Sequence, residues 1–146
     1  MHWGVEGSSP PTAFQRDIAS QITAAGDINL VVGHHAHVVQ PIEQVNGVWV
    51  LYGLGNMISN LPTSSRWPAA TQDGVVATVD ITVGADGVVT VSTPVIHPTW
   101  VDKDAGWIVR LVAPTLADPA IGDGLRGRLD ASLARTMSVL GPFVPS

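Results

Sequence analysis

The dipeptide Asn46-Gly47 constrains this chain more than any other feature. It separates two apolar, β-rich runs, Val38 to Val45 and Val48 to Tyr52. Asn-Gly readily adopts the left-handed backbone of a two-residue hairpin turn, so the spacing predicts an antiparallel pair. A second pair is predicted from Val75–Val83 and Val88–Val95 around Gly84-Ala85-Asp86-Gly87. There Val79, Ile81 and Val83 alternate with Thr78, Asp80 and Thr82, which predicts one buried and one wet face.

Helical patterns flank these hairpins. Thr12 with Gln15 three residues on has the form of a capping box. Phe14, Ile18, Ile22 and Ala25 follow at helical spacing before Gly26, so a helix is expected over 11–25. Ile28 to Val32 is short, apolar and β-branched, and reads as a buried strand. Asp118-Pro119 has the form of a helix start. Leu125, Leu129, Leu133, Met137 and Leu140 then form a stripe that stops at Gly141-Pro142. The stretch 59–73, rich in Ser, Thr and Pro, reads as a long mobile loop. The order helix, strand, hairpin, hairpin, helix indicates an α/β chain with antiparallel edges.

Composition narrows the function classes. The chain has 146 residues, 45% of them hydrophobic and only 13% charged, with mean hydropathy +0.27. Intrinsic disorder requires the opposite balance. No apolar run is long enough for a membrane span, and Met1-His2-Trp3-Gly4 lacks the pattern of a signal peptide. A formal charge of −5 argues against nucleic acid as partner. The absence of cysteine excludes thiolate sites and disulfides. So low a share of charge, about half the usual quarter, suggests a surface that something else covers.

The chemistry concentrates in Gly33-His34-His35-Ala36-His37, where three of five histidines fall within four positions after a predicted strand. Residues two apart in extended chain share a side, so His35 and His37 could face one ion. Neutral imidazole suits Mn, Zn or Fe. Taken alone, His2 reads as a frayed terminal residue, Glu6 as a solvated charge and His97 as structural. Trp49, Trp67, Trp100 and Trp107 are scattered singly and read as core. Hydrolase elbows, phosphate loops and dinucleotide fingerprints are absent.

Three blocks together, His2-Trp3-Gly4-Val5-Glu6, then Gly33 to Glu43, then Tyr52-Gly53-Leu54-Gly55-Asn56, resemble the CapA family. These are the poly-γ-glutamate capsule synthesis proteins, related to calcineurin-like metallophosphoesterases. The resemblance is strong over residues 1–58 and weakens beyond them. It implies a four-layer αββα sandwich with a two-metal site, here its C-terminal part with two β-hairpins and a C-terminal helix. It also implies divalent-metal ligation by His2, His35 and His37, with His34, Glu6 and Asn56 around them, and metal-activated hydroxide attacking a phosphate or related ester.

Gly7, Ala36 and Met57 depart from the family pattern. The family's Asp and Asn ligands and its general-acid histidine have no counterpart in residues 1–146. The expectation is therefore a partial CapA-like domain, the C-terminal half of a larger protein, with an incomplete metal site. Its implied role is capsule or poly-γ-glutamate biosynthesis. The alternatives are a non-catalytic polymer-binding or assembly subunit and a truncated product without function. The resemblance implies an anionic polymer or phosphoester substrate and an envelope location for full-length members. It also implies an absent half or a dimer partner over the apolar face.

Overall fold

The computed structural model describes residues 1–145. It is a mixed α/β arrangement of several small sheets with a long C-terminal helix. Helix α1 (Ala13–Ala24) starts at the predicted capping box: Thr12 Oγ1 accepts from Gln15 N at 3.1 Å, and Gln15 Oε1 accepts from Thr12 N at 2.9 Å. Strand β2 (Leu30–Val32) then runs parallel to β5 (Val48–Leu51), which also pairs antiparallel with β4 (Ile42–Val45). Val45 lies opposite Val48, so Asn46 and Gly47 form the two-residue turn, with φ of 50° and 80°. This hairpin is shorter than predicted, because Val38–Pro41 lie outside β4.

The second hairpin is longer and divided. Its root pairs β6 (Asp73–Thr78) with β9 (Val95–Asp102), and its tip pairs β7 (Ile81–Val83) with β8 (Val89–Val91). Thr78 faces Val95 whereas Ile81 faces Val91, so the returning side carries one extra residue between the ladders. That is the count of a β-bulge. The predicted dry face of the tip is not buried: Ile81 and Val83 are 58% and 65% exposed. These two side chains stay open to solvent, so alternation there marks a strand without marking a core.

Strand β10 (Ile108–Leu111) joins β9 on the side away from β6. It runs into the short helix α2 (Val112–Leu116), and neither element carries a motif read above. Asp118 does not start the last helix. Its Oδ1 accepts from Ala120 N at 2.8 Å in a local turn, and helix α3 (Asp123–Leu140) begins after Gly122.

Both long helices pack much of their predicted apolar stripes inward, Ile18 and Ile22 in α1 and Leu125, Leu129, Leu133 and Leu140 in α3, but each is rotated so that polar positions beside the stripe are buried as well. In α1 the buried positions are Gln15, Ala19 and Thr23, while Phe14 is 65% exposed. In α3 they are Leu129, Ser132, Thr136 and Leu140, with Met137 largely exposed. Most of these buried polar groups find a partner, although Thr136 Oγ1 has none among the described residues. Gln15 Nε2 donates to Gln40 Oε1 at 2.9 Å, and Ser132 Oγ donates to Asp73 Oδ1 at 2.7 Å. Buried polar groups are tolerated on that condition.

Three apolar clusters hold the layers. Val31, Val50, Trp3 and Tyr52 pack against Ala19, Ile18 and Ile22 of α1. The alternate residues of the same sheet, Ile42, Trp49 and Leu51, meet Val75, Ala77 and Ile96 of the second sheet. Trp100 packs with Val112 of α2 and Leu129 of α3. Directly opposed residues share a face of an antiparallel pair. Asp73, Val75 and Ala77 oppose Trp100, Pro98 and Ile96, so one face of the second sheet meets both the first sheet and α3.

Asp73, only 2% exposed, takes a forked contact from Arg135: Nε to Oδ2 at 2.6 Å and Nη2 to Oδ1 at 2.8 Å. Burial pushes the Asp73 carboxyl above its ordinary value, opposed by the bonds from Arg135 and Ser132. The bonds to Asp73 hold the Arg135 guanidinium above its ordinary value.

Candidate functional site

Two short parallel strands bring the histidines together. Strand β1 (His2–Trp3) pairs with β3 (His34–His35), His2 opposite His34 and Trp3 opposite His35. The terminal ammonium donates to Val32 O at 2.6 Å, and His34 N donates to Met1 O at 2.9 Å, extending the pairing. His2 is thereby fixed in a ladder and is not frayed. Its ring lies 4.4 Å from that of His35, centroid to centroid, and His35 lies 6.3 Å from His37. His34 is exposed.

Gly33 makes this approach feasible. A Cβ there would overlap Tyr52 O and Trp3 Nε1, and Trp3 Nε1 donates to that same oxygen at 2.9 Å. The Trp3 and Tyr52 rings stack at 5.6 Å beneath the cluster. Burial, foremost, pushes the Tyr52 phenol above its ordinary value. Its hydroxyl is buried without a hydrogen-bond partner among the described residues.

His35 and His37 have φ of 101° and 60°, in the region that non-glycine residues rarely enter. Each such residue costs on the order of 1–3 kcal/mol, and such strain gathers at functional sites. Two candidate ligands therefore sit in backbone conformations that the surrounding structure must enforce. Gly7 N contributes by donating to Ala36 O at 2.7 Å, pinning the residue between them.

Asn56 and Glu6 lie on either side of the His37 ring. Asn56 Oδ1 is 3.0 Å from His37 Nδ1, and Glu6 Oε1 is 3.9 Å from His37 Nε2. Arg66 Nη2 reaches Glu6 Oε2 at 3.4 Å, and its guanidinium lies 5.0 Å over the Trp67 ring. Trp67 in turn meets His37 edge-on at 5.7 Å.

These contacts revise two expectations. Trp67 borders the histidines instead of filling the core, and Trp107 is 47% exposed. Trp49 and Trp100 do pack into the clusters. The stretch 59–73 is not free loop. It includes a 3-10 turn at Ala69–Gln72 and buried Thr71, and it drapes Arg66 and Trp67 over the site. Neither residue carried a legible signal, since an Arg-Trp pair in a Ser/Pro-rich stretch fits no ligand spacing. His97 lies half-buried in β9, opposite Val76 and apart from the cluster.

The donor chemistry suits a borderline divalent ion. As placed, however, no three His, Asp or Glu side chains among the described residues are grouped to hold one. The histidines form two neighbouring ring pairs, not a closed ligand set.

Residues 1–61, which carry this whole cluster except Arg66, Trp67 and Thr71, match the family described as Bacterial capsule synthesis protein PGA_cap. Residues 1–61 are thus similar to the bacterial capsule synthesis family over less than half of the chain. Among PGA_cap relatives, the PGA biosynthesis protein CapA of Bacillus subtilis (strain 168) is 44% identical over 57 residues, which is 39% of this chain and 15% of that protein. The Capsule biosynthesis protein CapA of Bacillus anthracis is 35% identical over 57 residues, again 39% of this chain and 14% of that protein. The match thus spans about one seventh of the length of these CapA proteins. Among the described residues no helix is long and apolar enough to cross a membrane.

Proposed function

We propose that this chain carries the histidine part of a metal centre in a CapA-like protein of capsule or poly-γ-glutamate biosynthesis. His2, His35 and His37 are the proposed ligands, for Mn, Zn or Fe, with His34, Glu6 and Asn56 around them. The observation that carries this reading is the enforced convergence of His2 and His35, with His35 and His37 held at positive φ. The rest of the ligand set must come from groups beyond these three, because the described donors do not close around an ion. No hydrolytic step is assigned to the chain on its own.

On this reading α1 and the two stacked sheets correspond to layers of an αββα sandwich, with α3 on the inner face of the second sheet. Exposed Phe14, Ile58 and Ile81 then belong to surfaces that another part or copy of the protein covers. The proposed substrate class is an anionic polymer or phosphoester, and the proposed contribution of a bound ion is Lewis-acid activation.

The open ligand set favours a second reading, a polymer-binding or assembly subunit without catalysis. Metal analysis of protein reconstituted with Mn, Zn or Fe separates the two. The first requires bound metal that falls in His35→Ala and His37→Ala. Unchanged metal content in both variants, with polyanion binding that persists in chelator, establishes the second.

A further inference from the structure

We propose that Asn56 is a positioning residue that fixes the neutral His37 ring in its Nδ1–H tautomer, leaving the lone pair on Nε2. The assignment follows from the hydrogen bonds of the Asn56 amide. Its Nδ2 donates to two backbone carbonyls, His37 O at 3.1 Å and Thr71 O at 2.9 Å. A flipped amide would set its oxygen against both, which fixes the orientation by chemistry. Oδ1 is therefore the atom that faces His37 Nδ1 at 3.0 Å. An amide oxygen only accepts, so Nδ1 carries a proton, and in the neutral ring Nε2 then holds the lone pair.

Backbone geometry locks the arrangement. Gly74 has no Cβ because one would overlap Asn56 O, and Asn56 N donates to Asp73 O at 3.2 Å. Gly55, at φ 71°, likewise has no room for a Cβ beside Asp73 O. Asn56 is thus anchored to β6 and holds His37 at two points, ring and carbonyl. Its bond to Thr71 ties the segment bearing Trp67 and Arg66 into the same contact. The free Nε2 points to the side on which Glu6 lies.

The tautomer stands on these hydrogen bonds alone, and its functional meaning rests on the proposed role of His37 as a ligand. Orienting a ligating imidazole through its other nitrogen is a general device of metal sites.

Long-range 15N–1H correlation spectra of the 15N-labelled chain in alkaline buffer, with His37 assigned through His37→Gln, read the tautomer directly. The expected wild-type spectrum shows a pyrrole-type Nδ1 and a pyridine-type Nε2. Asn56→Ala should shift the tautomer ratio by about tenfold, the worth of one ordinary hydrogen bond. Asn56→Asp keeps an acceptor toward Nδ1 but loses both amide donors, so it should retain the Nδ1–H form. A merely structural Asn56 would make the two variants alike.

A wild-type Nε2–H spectrum overturns the proposal, as does an Asn56→Ala spectrum identical to wild type. Should Asn56→Ala fail to fold, the wild-type and Asn56→Asp spectra decide. Addition of Zn2+ alone tests the ligand role separately. It should perturb Nε2 of His37, with affinity about 10–100-fold weaker in Asn56→Ala. A locked tautomer with no Zn2+ response overturns the ligand reading and leaves the positioning role standing.

Discussion

Replacing Arg135 by Met would strip the buried Asp73 of its forked partner while keeping much of the side chain's apolar stem. Breaking a buried pair by removing one member costs about 3–5 kcal/mol, because the remaining charge is left uncompensated. Arg135 is 33% exposed, so water already screens part of the contact, and the lower end of about 3 kcal/mol is expected. For a chain of this size that is roughly 10 °C in Tm.

The pH dependence is the sharper test. Asp73 has a folded pKa raised above the ordinary 3.8, so its stabilising contribution is full below 3.8 and is lost as pH rises through the folded value. Without Arg135 that folded value rises further, and the loss extends to higher pH. The gap between Arg135→Met and wild type should therefore be small in acid and widen toward neutrality. Adding Asp73→Asn to Arg135→Met should recover part of the loss at neutral pH by removing the buried charge. Urea unfolding of the wild type, Arg135→Met, Asp73→Asn and the double variant across pH gives both quantities. A gap that does not vary with pH, or a double variant no more stable than Arg135→Met, would refute the reasoning.

Other outcomes follow from single contacts. Gly33→Ala forces a Cβ onto Tyr52 O and Trp3 Nε1, and should lower stability by about 2 kcal/mol or more, with a changed Trp3 emission spectrum as the local readout. Thr12→Ala removes the capping oxygen of α1 and should cost about 1 kcal/mol by thermal melting, whereas Thr12→Ser should not. Glu6→Gln, which weakens the solvent-accessible contacts to Arg66 and His37, should change stability by less than about 1 kcal/mol, and its effect should vanish in high salt.

What could be read in the amino-acid sequence was local. Thr12-x-x-Gln15 and Asn46-Gly47 encode their geometry within four residues, and both form as predicted. Apolar periodicity located both long helices and most of their inward residues, but it placed Phe14 and Met137 inside and missed the polar positions buried beside the stripes. Gln15, Thr23, Ser132 and Thr136 are polar by type and buried in place, and the groups that receive Gln15 and Ser132 lie far along the chain.

Strand β9 escaped notice beyond its first residue, Val95, because Pro98 argues against a central strand. The structure admits Pro98 because β10 ends opposite Thr99, leaving no neighbour on that side. At the site, the histidine spacing was legible. The approach of Arg66 and Trp67 depends on how residues 59–72 return to β6, a long-range matter of packing that no short motif records.

The extra residue between Thr78–Val95 and Ile81–Val91 also separates two regimes of motion. Ser92 bridges the gap with its own hydroxyl, which accepts from Asp80 N at 2.9 Å where a ladder would use a carbonyl. The tip can therefore open without disturbing the root, whose backbone bonds are sealed under Val75, Ile96 and Leu140. Amide protons of β7 and β8 should exchange with solvent through such local opening, while those of β6 and β9 wait for global unfolding. A single added residue thus acts as a mechanical fuse, confining fraying to the tip and shielding the strand to which Asn56 is anchored.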